Sequence, residues 1–174
     1  MSNVPPPPVP PGPPVPPFGG QPPLPPTPPP GYGPTPPGAG EPPLDQPFYG
    51  APFGAAVRRF FTKYAVFSGR ASRSEFWWWT LLYVIIEVVL SFFTGHRTSE
   101  GSLTGLSATF SGLAGLWNLA IIVPFLALSA RRLHDTNRSG WWVLIYLIPI
   151  VGWIIVIVWW AGATRPEGAR YDVR

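Results

Sequence analysis

Three long apolar runs, at about residues 76–94, 104–130 and 141–163, occupy the second half of the chain, and each is bounded by Arg, Ser or Trp. The first holds Glu87 as its sole charge, and the other two hold none. About 20 apolar residues in helix cross a bilayer core, so all three runs are predicted to be transmembrane helices. Trp141-Trp142 and Trp159-Trp160 close the two ends of the third run, as an interfacial aromatic belt does. Ahead of the runs, residues 52–66 carry a different period. Phe53, Ala56, Val57, Phe60, Phe61 and Tyr64 fall on one helix face, with Arg58, Arg59, Thr62 and Lys63 on the other. Pro52 suits a first helical turn. The stretch is expected to be an amphipathic helix in the headgroup region that can also pack against the spans.

Residues 1–50 have no such pattern. They hold every one of the 27 prolines except Pro52, Pro124, Pro149 and Pro166, and no Lys or Arg. So proline-rich a segment supports neither helix nor sheet ladders, and a disordered tail of polyproline II character is expected. The fold class expected is therefore all-α and membrane-bound: tail 1–50, integral membrane domain 51–168, and a short C-terminal tail 169–174. The N-terminus lacks the charged and apolar regions of a cleavable signal peptide.

The net charge of +4 sits beside the apolar runs, which points to a membrane surface and not to nucleic acid. Three spans with the N-terminus inside place eight basic residues in the cytoplasm and four outside, the C-terminus among the latter. Pro149 and Gly152 interrupt the third run. A re-entrant hairpin there would leave only Arg97 outside, a stronger bias. That rival requires cover for irregular backbone within the membrane, so three full spans are the expectation.

Two polar collars flank the runs. In the first, Arg70 and Arg73 precede Trp77-Trp78, and Ser72-Arg73-Ser74-Glu75 fits the S-x-x-E capping box. In the second, Arg131, Arg132, His134, Asp135 and Arg138 lead to Trp141 and Trp142. The collars are candidates for anionic lipid or other anion binding, or for a structural lattice of Arg, Asp and Ser. One His beside one Asp is too small a set for a metal site. Without cysteine, disulfides and thiolate sites are excluded. No phosphate loop, zinc motif or nucleophile elbow is present, so neither an enzyme nor a cofactor is expected.

These residues carry a resemblance. Phe67-Ser-Gly-Arg70-Ala-Ser-Arg73-Ser-Glu75-Phe-Trp77, the run Arg131 to Trp142, and Leu147-Ile-Pro149-Ile-Val-Gly152 resemble the bacterial inner-membrane domain of unknown function 805 family. The likeness covers about residues 56–168. It implies a small multi-span protein of the bacterial cytoplasmic membrane, with no catalytic residues to carry over. Asn137 stands where that pattern has Gly.

Within the bilayer Glu87 is expected to be protonated or hydrogen-bonded, with Asn118 as its partner. Ser107, Ser111 and Gly115 place small residues on one face of the second run, able to pack helices within one chain or in a homo-oligomer. The leading expectation is a non-enzymatic membrane module that grips anionic lipid, its tail recruiting a cytoplasmic polyproline-binding protein through stretches such as Pro22-Pro23-Leu24-Pro25-Pro26 or serving as a flexible spacer. The alternative is a small oligomeric transporter or channel using Glu87.

Overall fold

The computed structural model describes residues 40–94 and 104–172. Most of the proline-rich tail, the loop containing Arg97, and residues 173–174 lie outside the described residues. Among those described there are helices and no strands. Helix α1 is Phe53–Thr62, α2 is Arg73–Thr94, α3 is Gly105–Asp135 and α4 is Val151–Ala161. Two 3-10 helices, Gly140–Leu147 and Pro166–Tyr171, flank α4.

Helices α2 and α3 are antiparallel. Phe93 stacks on Phe110 at their far end, with ring centroids 4.7 Å apart. At the near end the Ala71 amide donates to the Arg131 carbonyl at 3.1 Å. With 22 and 31 residues, the helices are about 33 and 46 Å long. Both are long and apolar enough to cross a membrane, and α3 has a surplus beyond the hydrocarbon core that carries Arg131 to Asp135. Outward-facing Val88, Phe92, Leu116, Leu119, Ile154 and Val158 are exposed, part of an apolar surface no soluble monomer presents to water.

The third run departs from the single helix expected over 141–163. Its first part is the 3-10 helix Gly140–Leu147, the chain turns at Ile148–Ile150, and the 11-residue α4 runs back. Trp142 and Trp159, predicted to mark opposite membrane faces, lie edge to face with centroids 5.6 Å apart. The helices long enough to span are thus two, with a third, shorter apolar helix beside them. The cover that irregular backbone needs is supplied locally. The amides of Val151, Gly152 and Ile154 donate to the carbonyls of Pro149, Ile148 and Ile150, and the Trp153 indole donates to the Tyr146 carbonyl at 2.9 Å. Close approach of the two arms depends on Gly152, because a Cβ there would lie 1.9 Å from the Ile145 carbonyl oxygen.

Helix α1 packs inward through Ala56 and Phe60, whose ring stacks on Trp79. Its other face differs from the sequence expectation. Arg59 and Lys63, assigned to the polar side, are buried, whereas Phe53 and Phe61 are exposed. Carboxylates and carbonyls inside the protein draw Arg59 in, as the next section shows. Just beyond α1, the Tyr64 hydroxyl donates to the Ala120 carbonyl, which Pro124 leaves without its helical donor.

Residues 40–50 also differ from the expected free tail. Phe48 and Pro47 are buried, and Glu41 pairs with both Arg58 and Arg59. Phe48 and Tyr49 anchor this end of the proline-rich segment, and Glu41 and Asp45 are the charged residues of residues 1–50.

Candidate functional site

The described polar chemistry concentrates at one end of the helices, where the two collars meet. Helix α2 starts with a capping box: the Glu75 amide donates to Ser72 Oγ at 3.2 Å, and Glu75 Oε2 accepts from the Ser72 amide at 2.8 Å. Glu75 also accepts from the Phe48 amide and, at 3.2 Å, from Arg59 Nη1. Arg59 further donates to Glu41 and to the carbonyls of Pro42, Pro43 and Gln46. Lys63 is buried beside this group. Burial lowers its ammonium to about 8, opposed by the neighbouring Glu75 carboxylate.

Asp135, fully buried at the end of α3, is the hub of the second collar. It accepts from the Tyr49 hydroxyl at 2.7 Å, the Thr164 hydroxyl at 2.7 Å and Arg132 Nη1. Arg132, equally buried, also donates to the carbonyls of Trp160 at 2.8 Å and Gly162 at 2.6 Å. Arg73 donates to Gly162 and Ala161. Two arginines therefore hold the returning end of α4 against the collar. Arg70 makes a bidentate pair with Asp172 at 2.6 and 2.7 Å and lies 3.9 Å from Asp135. Arg131 folds back to donate to the Ala127 carbonyl, and its Nη2 is buried without a hydrogen bond.

Asn137 closes α3 in the left-handed region, φ 61°. Its amide donates to the His134 carbonyl and the Arg138 amide to that of Leu133, which together make a Schellman cap. Asn tolerates this conformation next best after Gly, which accounts for the residue the sequence pattern expects there. Arg138 then lies over the Trp159 ring at 4.8 Å. His134 Nδ1 is 2.9 Å from the Gly69 carbonyl, and its ring stacks on Tyr171. Trp141 and Trp142 are exposed at the start of the hairpin, Trp141 at 80%.

Glu87 and Asn118 lie apart from the collar, inside the bilayer span. Asn118 Nδ2 donates to Glu87 Oε1 at 3.0 Å, and the Tyr83 hydroxyl donates to Asn118 Oδ1 at 3.0 Å. All three are half-buried. A Cβ at Gly112 or Gly115 would meet nothing within 4 Å, so these small residues pack no neighbour in the single chain. Among the described residues no group of three or more His, Asp or Glu is placed to hold a metal ion.

Sequence reasoning missed Tyr49, Thr164, Asp172 and Glu41 as collar partners, and the inward turn of Arg59 and Lys63. Glu41 and Asp45, the two acids in an otherwise uncharged proline-rich stretch, were the available signal. Asp172 offered none, since its partner lies a hundred residues away.

Comparison with known proteins places this architecture. A family profile described as "Protein of unknown function (DUF805)" matches residues 64–173. Inner membrane protein YhaI of Escherichia coli (strain K12) is 36% identical over 108 residues, 62% of this chain and 84% of that protein. Inner membrane protein YhaH of the same strain is 37% identical over 111 residues, 62% and 85% of the two chains. Uncharacterized protein YiiR of that strain is 33% identical over 95 residues, 55% and 56% of the two chains. No solved structure matches.

Proposed function

Since this chain belongs to the DUF805 family of inner-membrane proteins, we propose that it is a non-enzymatic membrane module with two spans and one re-entrant hairpin. The return of α4 to the collar carries this reading. It puts Trp142 beside Trp159, and it puts Arg165 and Arg170 on the same side as Arg58, Arg70, Arg73, Arg131 and Arg138. By the excess of basic residues that side faces the cytoplasm, and the first and last described residues lie there. Helix α1 rests at the headgroup level, with Phe53 and Phe61 turned to lipid.

Arg70 and Arg132 are buried, so the grip on anionic lipid falls to cations at the surface. Arg73 beside Trp77 and Trp78, with Arg165 and Arg170 from the C-terminal segment, forms that surface. Each such cation contributes about 1 kcal/mol near an anionic leaflet. The proline-rich stretch preceding Gly40 recruits a cytoplasmic polyproline-binding partner.

Fusions at the C-terminus test the topology. A fluorescent protein that folds in the cytoplasm should be active, and alkaline phosphatase should not; the reverse result overturns the hairpin reading. Native mass spectrometry from phosphatidylglycerol nanodiscs tests lipid binding. Retained anionic lipid should fall in the Arg73→Gln, Arg165→Gln, Arg170→Gln variant, and unchanged retention removes the claim.

One observation favours a second reading, an oligomeric transporter. Glu87 is only half-buried in its span, and open space faces Gly112 and Gly115. Crosslinking in native membranes that yields only monomer would remove it.

A further inference from the structure

A cavity of about 520 Å³ opens between the end of α3, the first arm of the hairpin and the C-terminal 3-10 helix. Its walls are Phe67, Leu126, Val143, Leu144, Trp141 and Tyr171, and its polar end holds His134 and Ser139. The volume suits a small organic ligand. Leu144 and Trp141 belong to the exposed apolar surface, so the mouth opens toward lipid.

The polar end has a defined hydrogen-bonding character. His134 Nδ1 faces the Gly69 carbonyl, which can only accept, so Nδ1 carries a proton; burial lowers the imidazole below its usual range, and the neutral ring presents a bare Nε2. Among the described residues Nε2 makes no hydrogen bond, and it lies beside Gly140, where an added Cβ would be 3.0 Å from it. Ser139 Oγ accepts a long bond from the Trp141 amide and keeps its proton to donate. No Lys or Arg is among the cavity's walls, and the nearest cation on its polar side, Arg170, lies over the Tyr171 ring at 4.7 Å. Phe67 and Trp141 offer flat aromatic surfaces.

We propose that this cavity binds a membrane-soluble hydroquinone. One of its hydroxyls donates to His134 Nε2, its ring lies among the aromatic walls, and its hydrocarbon tail leaves past Leu126 and Leu144 into the bilayer. The site adjoins the basic surface proposed to hold anionic lipid, since Arg170 of that surface lies over Tyr171.

Full-length protein in nanodiscs, titrated with 2-decylhydroquinone and followed by tryptophan fluorescence and calorimetry, tests this. Saturable binding is expected, about tenfold tighter than for the oxidised 2-decylbenzoquinone, whose carbonyls cannot donate to Nε2. His134→Asn keeps a donor for the Gly69 carbonyl and removes the acceptor, and should weaken binding about tenfold. His134→Gln restores an acceptor near the Nε2 position and should recover most of the affinity. Leu126→Trp fills the mouth and should abolish binding with the thermal midpoint intact, which keeps the test independent of any folding defect at His134. Absent binding, equal binding of quinone and hydroquinone, or displacement by dioleoylglycerol at equal concentration would each overturn the proposal.

Discussion

The runs at 76–94 and 141–163 are alike in apolar character and both carry tryptophan pairs, yet α2 continues unbroken for 22 residues while the other turns back after a 3-10 helix of eight. Hydropathy is nearly blind to this difference. It records how much surface wants lipid, and both courses satisfy that. The backbone residues decide. Pro149 lacks an amide, Ile150 takes φ 63°, and Gly152 leaves room for the Ile145 carbonyl. At the collar, Arg132 and Arg73 receive the last carbonyls of α4, which the end of a helix leaves free. Helix α2 takes its anchorage from the capping box where it begins.

Substitutions at these anchors should separate the two courses. The largest effect is expected from Asp135→Ala, which strips buried Arg132 of its carboxylate and loosens the docking of α4. Such a loss costs about 3–5 kcal/mol, measurable as a fall in thermal midpoint in detergent. Gly152→Ala should follow, at about 3 kcal/mol from the clash with Ile145, with near-ultraviolet circular dichroism of the tryptophans altered while helix content is kept. Lys63, beside the start of α2, works in the opposite sense. Its ammonium is held near 8 in the fold against 10.5 when free, so stability rises with pH from about 8 to 10.5 as the folded state sheds its proton first. Lys63→Met should raise the thermal midpoint at pH 7 and flatten that rise. The smallest effect is expected from Glu87→Gln, which keeps an acceptor for Asn118 and should shift stability by under about 1 kcal/mol.

The helices that run straight were legible because their signals are local. The capping box at Ser72 and the Glu87–Asn118 pairing follow from spacing along one helix or depth in the membrane. The third segment was legible only as two courses, with Pro149 and Gly152 naming the place of the break. What tipped the balance lies in distant partners, Arg132 and Arg73, which no window on residues 141–163 contains. The collar divides the same way. Its Arg, Asp and Ser composition was plain, but the pairing of Arg70 with Asp172 and of Tyr49 with Asp135 depends on chain segments brought together by the fold. Arg59 misled for a related reason: helical periodicity assigned it to the polar face, and Glu41 and Glu75 make the interior polar at that point. Those partners at Glu41 and Tyr49 precede the residues matched by the family.

The central claim, that the third segment returns to the face it left, is open to a direct covalent test. The chain has no cysteine, so Thr136→Cys with Gly162→Cys introduces the sole thiol pair. A Cβ at Gly162 lies 3.5 Å from Thr136 Cγ2 in the fold. A single helix from Trp141 would carry Gly162 about 32 Å away, to the opposite membrane face. Mild oxidation of membranes, followed by alkylation with a polyethylene-glycol maleimide, reads the outcome on a gel. The hairpin requires that oxidation block both labels in the monomer and that reductant restore them. Two thiols that stay free after oxidation, labelled from opposite sides of sealed vesicles, would contradict it.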